Sequence, residues 1–313
     1  MKKAATLIEL IYVIVILSLL LVGGFRIINK LYVRDYIATQ TSKMEYKTQQ
    51  VLDQLALMLY YRVPLATIGY NQQTGDYKYI GYIQDGEDYP ILEWIGFEND
   101  AMRDMNLSSF VDMNASDKTS YTLRVLDFHS SFIQNVVDNK FNTSDSLENL
   151  SAVIFSGTFD RGEEASLIDY NNSYGWHGGS HNYVYTISSI VQDGDDANIT
   201  LNEKPDRIYE KFFLVDSAYA IARVEDLNAS KWNCKELDIN SLDKNDLLLF
   251  YNYRPWKSET FCGDGGEGNV TILSSNVSSF FVKKVNFHLE IKMEMLKQKG
   301  DISIMVSKQK VAF

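Results

Sequence analysis

Glu9 is the residue whose chemistry is hardest to accommodate, because it stands near the start of a run, Leu7 to Leu21, that carries no other charge. A carboxylate in lipid costs about 2.5 to 3.5 kcal/mol at the bilayer centre and less near the interface, so it calls for a cationic partner. His177 and His181, in YGWHGGSHNY, have the separation of two metal ligands on a helix. Gly178 and Gly179 oppose a helix there, which leaves a loop pair of exposed or hydrogen-bonded imidazoles. Asp193, Gly194, Asp195, Asp196 and Asn198 offer oxygens of the kind calcium takes, without EF-hand spacing, and read as a solvated hairpin turn. The glycine-rich CGDGGEGN lacks the following Lys and Ser/Thr of a phosphate loop. With no GxSxG, no His-Glu zinc motif and no nucleophile beside a base, neither catalysis, a metal nor a cofactor is expected.

The elements that would position these residues begin with one long helix. Behind the apolar run, Ile27, Ile28, Leu31, Ile37, Met44, Val51, Leu52, Leu55, Met58 and Leu59 recur at three- and four-residue steps among Lys, Gln, Thr and Glu. Pro64 supplies a stop, so a helix from Ala5 to Tyr61 is expected, on the order of 85 Å long. Its first half is apolar all round and its second amphipathic, as befits a rod with one end in an apolar surrounding and the other against a globular body. Gly23 and Gly24 mark a bend or the end of the lipid-facing part.

The remaining residues alternate short apolar runs with Gly, Asn, Asp and Ser clusters, a β-rich pattern. Strands are expected at Ile91 to Ile95, Thr122 to Leu126, Ala152 to Phe155, Tyr183 to Val191, Phe212 to Val215, Tyr219 to Val224, Leu247 to Tyr253, Ser279 to Lys283, Phe287 to Met293 and Ile302 to Val306. Val215 to Ala218 would turn one hairpin and Lys297 to Asp301 another. Asp160 to His181 reads as an insertion or large surface loop. The fold class is therefore α+β: a long N-terminal hydrophobic-to-amphipathic helix followed by a β-rich antiparallel globular domain.

Forty-one acidic residues against thirty basic ones give a net charge of −11. That sign repels phosphate backbones, so direct nucleic-acid binding is not expected. The C-terminal lysines, Lys283, Lys284, Lys292, Lys297, Lys299, Lys308 and Lys310, read as a solvated sheet face.

The opening MKKAATLIELIYVIVILSLLLVGGF, with its basic Lys2 and Lys3, small Ala4 and Ala5, and TLIEL ahead of an unbroken apolar run, resembles the cleavage and methylation signal of type IV prepilins and type II secretion pseudopilins. The resemblance implies a pilin-like fold and cleavage between Ala4 and Ala5 by a prepilin peptidase. It also implies that Glu9 pairs with the N-terminal amine of a neighbouring subunit during assembly. The family usually has Gly before the cut and Phe after it, where this chain has Ala4 and Ala5. LLLFYNYRPW and the strands that follow it resemble the end of large minor pilins. Two other readings fit the same N-terminus: an ordinary secretory signal cut before Phe25, and a capping box in which Glu9 reaches back to Thr6.

The resulting division is a leader at 1–4, a membrane or filament-core half-helix at 5–25, an amphipathic half-helix at 26–61 and a periplasmic body at 62–313. If the body lies in an oxidising periplasm, the two cysteines, Cys234 and Cys262, read as a disulfide, with two buried thiols as the alternative. Nine of 22 asparagines stand in Asn-x-Ser/Thr, against roughly three expected by chance. Asn106, Asn114, Asn198, Asn228 and Asn269 are among those with an acidic residue two positions earlier. This extended pattern resembles the acceptor of bacterial periplasmic oligosaccharyltransferases. Turn composition, which also favours Asp, Asn and Ser, is the competing explanation.

Together these readings predict a noncatalytic minor pilin or pseudopilin, a single-pass inner-membrane protein incorporated into the initiating or tip complex of a pilus or pseudopilus. Its partners would be the prepilin peptidase, other pilins or pseudopilins and the inner membrane. A membrane-anchored or secreted surface-binding module, adhesin-like, is the alternative.

Overall fold

The computed structural model describes residues 7–117, 119–159, 170 and 173–313. Helix α1 (Leu7–Tyr60) comes first. It is followed by β1 (Arg62–Asn71), β2 (Asp76–Tyr79), β3 (Ile91–Phe97), the short α2 (Asp100–Arg103), β4 (Val111–Asp117), β5 (Thr122–Val125), α3 (Ser130–Phe141) and α4 (Leu147–Leu150). Then come β6 (Ala152–Phe155), β7 (Tyr185–Asp193), β8 (Asp196–Leu201), β9 (Phe212–Arg223), β10 (Leu247–Tyr253), β11 (Asn269–Ser274), β12 (Val277–Val285), β13 (His288–Lys299) and β14 (Ile302–Ala312). The α+β expectation holds: a long apolar-to-amphipathic helix precedes a large antiparallel β domain.

Eleven strands form one sheet in the order β2-β1-β3-β9-β6-β7-β8-β5-β4, with β10 also on β9 and β11 on β10. β12, β13 and β14 form a separate three-stranded sheet. On β13 the residues Leu289, Ile291, Met293 and Met295 face inward, and on β14 Ile304, Val306 and Ala312 do so. This period of two gives the small sheet one apolar face, and α1 covers it with Met44, Val51, Leu52, Leu55 and Leu59. The same core takes in Leu92 and Trp94 of β3 and Ile221 of β9, so the second half of α1 is held by both sheets.

The helix runs through Gly23 and Gly24 as helix, where a Cβ would meet nothing within 4 Å. At its far end Arg62 does the work of a cap. Its guanidinium donates to the Leu59 carbonyl and, at 3.2 Å, to the Phe313 carbonyl. It thereby satisfies a carbonyl that the last helical turn leaves without a partner. Pro64, expected to end the helix, lies inside β1 on an exposed stretch, where the pairing with β3 shifts register between Arg62 and Thr67. An irregular strand segment tolerates a residue without an N–H.

Two expectations are corrected here. Val215 to Ala218 does not turn a hairpin, because β9 is one unbroken strand. Phe212 to Val215 pairs with β6, and from Ala218 onward the strand pairs with β10. Asp216 and Ser217, which look like turn residues, mark this change of neighbour. Ser217 Oγ accepts the Asn252 N–H at 2.9 Å, and Asp216 accepts from Lys140 of α3 at 2.7 Å. Their polarity serves buried pairing rather than solvent. The C-terminal lysines are likewise only partly a solvated face. Lys292 points outward, but Lys297 reaches Gln40 at 2.8 Å, Lys308 reaches Gln49 at 3.5 Å and Lys310 pairs with Asp53, all on α1.

The helix seal sets a simple test. Leu55→Ala removes a fully buried side chain and is expected to lower unfolding free energy by about 2 to 5 kcal/mol in denaturant titration. Leu57→Ala, on the same helix but 58% exposed, should stay within about 0.5 kcal/mol.

Candidate functional site

The first half of α1 is the most unusual surface of the molecule. An 18-residue window there has a mean hydropathy of 2.6 and no residue buried. From Ile8 through Ile28 its large apolar side chains lie between 50% exposed at Val15 and 70% at Leu19. Isolated apolar side chains on a surface are ordinary, but a contiguous sleeve of this size marks a membrane or protein contact. The chain thus has one N-terminal helix long and apolar enough to span a bilayer, carrying a globular C-terminal domain, an arrangement compatible with single-pass anchoring. Glu9 lies in the first described turn and is exposed, near the N-terminal end of a helix whose dipole favours a negative group. Ala4, Ala5 and Thr6 lie outside the described residues.

Cys234 and Cys262 form the expected disulfide, with Cα atoms 4.8 Å apart. Cys262 is buried in the main core beside Phe250 and Phe261, so the bond ties the Cys234 segment to the turn that carries Asp264. Closing a loop with a sequence separation of 28 contributes roughly 3 to 4 kcal/mol in the chain-entropy account.

The five acceptor-like asparagines are dispersed, and only some of them lie in loops. Asn106 and Asn228 are in loops, but Asn114 is on β4, Asn198 on β8 and Asn269 at the start of β11. Asn198 is paired on both sides, by Arg124 of β5 and Val191 of β7. Four of the preceding acids have partners for their side chains, Asp104 with Arg103 at 3.6 Å among them. Asp112 accepts the Asn114 N–H at 2.9 Å, Asp196 binds Arg124 at 2.9 Å and Asp226 binds Arg223 at 3.0 Å. Asp193 also pairs with Arg124, so the acidic β7–β8 turn is held by an arginine.

His177 is neither exposed nor on a surface loop. Gly175, at φ +85°, sits where a Cβ would be 2.5 Å from the Pro255 carbonyl oxygen. The tight turn it allows drops Trp176 into the core and His177 between two acids. His177 Nε2 is 2.8 Å from Glu93 and Nδ1 is 3.5 Å from Asp264, with its ring stacked 3.8 Å from Tyr70. Tyr253 donates to Glu93 at 2.7 Å, and Asp264 accepts from Tyr70, Gln72 and Lys231 at 2.8 to 3.0 Å. Burial alone would lower the imidazole pKa, but the Glu93 charge and the Asp264 and Glu93 hydrogen bonds outweigh it and raise it to about 9. Burial likewise opposes ionisation of Asp264, yet hydrogen bonds from His177, Lys231, Gln72 and Tyr70 hold it well below the usual carboxylate range. The end of the stretch expected to be a surface loop is therefore part of the core. Its signal in the sequence was Glu93, an acid inside the strand ILEWIGF that is buried on both faces and so requires a partner.

A second buried ionic group lies under α3. Lys140 stands 2.7 Å from Asp216 and 3.5 Å from Glu98. Burial and the neighbouring Asp216 raise the Glu98 pKa, against the opposing pull of the Lys140 ammonium. Both groups join elements distant in sequence, and their polar atoms are turned toward each other. With both imidazole nitrogens of His177 committed to carboxylates, this cluster acts as a structural lock.

No family model, no curated protein and no solved structure matches this chain.

Because the folded pKa of His177 lies above the ordinary 6.5, its contribution to stability is complete below about pH 6.5 and is lost as pH rises toward 9. Denaturant titration of the chain in detergent should show a fall on the order of 2 to 3 kcal/mol across that window. His177→Gln should be less stable at pH 6 and nearly flat above it. A wild-type profile equally flat would reject a charged His177.

Proposed function

We propose that the protein is a noncatalytic minor pilin or pseudopilin, anchored in the inner membrane by α1 with its body in the periplasm, and transferred into the initiating or tip complex of a pilus or pseudopilus. The observation that supports this reading most is the pairing of two halves in one helix. From Ile8 to Ile28 the large apolar side chains are exposed, with the acid Glu9 in the first described turn, and Met44 to Leu59 are sealed onto the body. The cost of Glu9 in lipid is lowered further when a neighbouring subunit's amine pairs with it, which gives the acid a use in assembly beyond anchoring. The apolar sleeve serves in turn as lipid-facing surface and as filament core, since both offer an apolar surrounding. Cleavage by a prepilin peptidase between Ala4 and Ala5 belongs to the same proposal, and so does the periplasm as the compartment in which the disulfide forms.

Glu9→Ala is expected to leave membrane insertion and leader removal unchanged, because losing a charge lowers the insertion cost. Its amount in sheared filaments, relative to membranes, should fall sharply, because a neighbour's amine would be left unpaired at a cost of several kcal/mol. N-terminal sequencing of the protein from its own cell should start at Ala5. A start at Phe25, or unchanged filament incorporation of the variant, would favour the surface-binding module instead.

Glycosylation at the acidic acceptor sequences is part of the proposal, and the fold ranks the sites. Asn114 is exposed on an edge strand, and Asp112 turns the chain outward there. Asn198 is enclosed between two strands. In cells with an oligosaccharyltransferase, glycopeptide mass spectrometry should find Asn114 occupied well above Asn198. Five unmodified sites would assign the pattern to turn composition alone.

A further inference from the structure

The chain divides its charge between two zones. Residues 26–50 and 295–313 hold nine Lys and Arg against three Asp and Glu, whereas residues 51–294 hold nineteen against thirty-seven. The fold brings the two basic segments side by side. β13 descends along α1 toward the apolar sleeve: Thr48 Oγ1 meets Met295 Sδ at 3.0 Å, Lys297 reaches Gln40 at 2.8 Å, and the Lys299 ammonium lies 4.5 Å over the Tyr36 ring. The β13–β14 turn at Gly300 and Asp301 therefore points at the end of α1 where the sleeve begins. Arg26, Lys30 and Arg34, all exposed, continue the cationic surface down the helix. At 100° per residue they form a stripe turned about a quarter to half a revolution from Tyr36, so together with Lys299 the cations cover roughly half of the helix circumference, a partial collar.

The collar lies at the height of a bilayer surface. Leu7 to Phe25 measures about 28 Å along the helix, close to the roughly 30 Å of bilayer hydrocarbon. Beyond Phe25, Arg26 and Lys30 stand about 2 and 8 Å further along the axis, in or at the edge of a headgroup layer about 5 to 7 Å thick. Arg34 and the Lys299 contact at Tyr36 stand about 14 and 17 Å along it, within about one Debye length of that layer. An anionic membrane face would repel the acidic body, and the sign of the charge reverses where the chain leaves the bilayer. We propose that this collar binds anionic phospholipid headgroups and draws the base of the body onto the membrane face from which it emerges. This rests on the reading of α1 as a membrane span, and it does not depend on Glu9 or on filament assembly. Departure from the bilayer then includes breaking these contacts.

The test uses the full chain with a nitroxide at Gln298→Cys, an exposed position on the hairpin. The chain is placed in nanodiscs of phosphatidylcholine alone or of an equal mixture with phosphatidylglycerol, each doped with a nickel-chelating lipid. Collision of the nitroxide with headgroup nickel should be several-fold more frequent in the anionic discs and should fall toward the neutral value as salt is raised. Each cation neutralised, in Arg34→Gln or in Lys297→Gln with Lys299→Gln, should lower the ratio of close to distant states about five-fold. Arg26→Gln with Lys30→Gln, which touches no part of the body, should act in the same direction. Equal collision rates in the two discs would overturn the proposal. So would inorganic phosphate releasing the hairpin at an ionic strength where chloride does not, since the collar would then be reading free phosphate. A chain that enters neither disc would overturn the membrane span itself, and the collar with it.

Discussion

Burial of Leu52, Leu55 and Leu59 is the interaction on which the rest of the molecule depends. A helix of 54 residues is about 80 Å long, and only its second half touches the body. Where the apolar half stands, and in what direction it leaves, is therefore set by how firmly the other half is seated. Three fully buried leucines, two sheets and the Arg62 contacts to Leu59 and Phe313 make that seat. The lysines of β14 add a polar edge to it: Lys308 and Lys310 follow the inward-facing positions of the strand but meet Gln49 and Asp53 instead of core.

The body carries its buried charges where its elements meet. Lys140 joins α3 to the point at which β9 exchanges β6 for β10. His177 and Asp264 join β1, β3 and the disulfide turn. Such groups add little net stability compared with apolar packing, but each tolerates few alternative arrangements once its partners are in place. Sheets built from many short strands are prone to register slips, and ionic pairs of fixed geometry exclude slipped pairings. The disulfide acts at the same place by a different route, shortening the excursions of the unfolded Cys234–Cys262 loop.

Much of the architecture was legible because it rests on periodicity. The three- and four-residue recurrence from Ile27 to Leu59 gave the far end of the helix to within one residue, and Ala152 to Phe155 and Leu247 to Tyr253 were found with their observed bounds. Strands whose buried face is polar or interrupted were harder. β1 contains Pro64 and is buried at nearly every residue, and β4 is dominated by Asp and Asn on an exposed stretch, so neither shows the alternation that marks a strand, whereas β8 alternates in only six residues, with Ala197, Ile199 and Leu201 inward. Asp216 and Ser217 misled for the opposite reason, since turn-forming residues and buried hydrogen-bonding residues are the same types. Of the site residues, Cys234 with Cys262 was legible from the count of two and the expectation of an oxidising compartment. The partners of His177 were not, because Glu93, Asp264 and Tyr253 are brought together only by tertiary pairing.

The alignment of β13 and β14 with α1 has a mechanical side. Their eleven paired positions run from Leu289–Ala312 to Lys299–Ile302, along the direction of the helix they cover. A tension applied to the apolar end of α1 is parallel to those strands, so it loads the interstrand hydrogen bonds and the leucine contacts in shear, all at once. A pull across the strands would instead open them one pair at a time. The rod and its seat are thus oriented to resist a pull along the helix axis, and to yield most readily to a sideways peel.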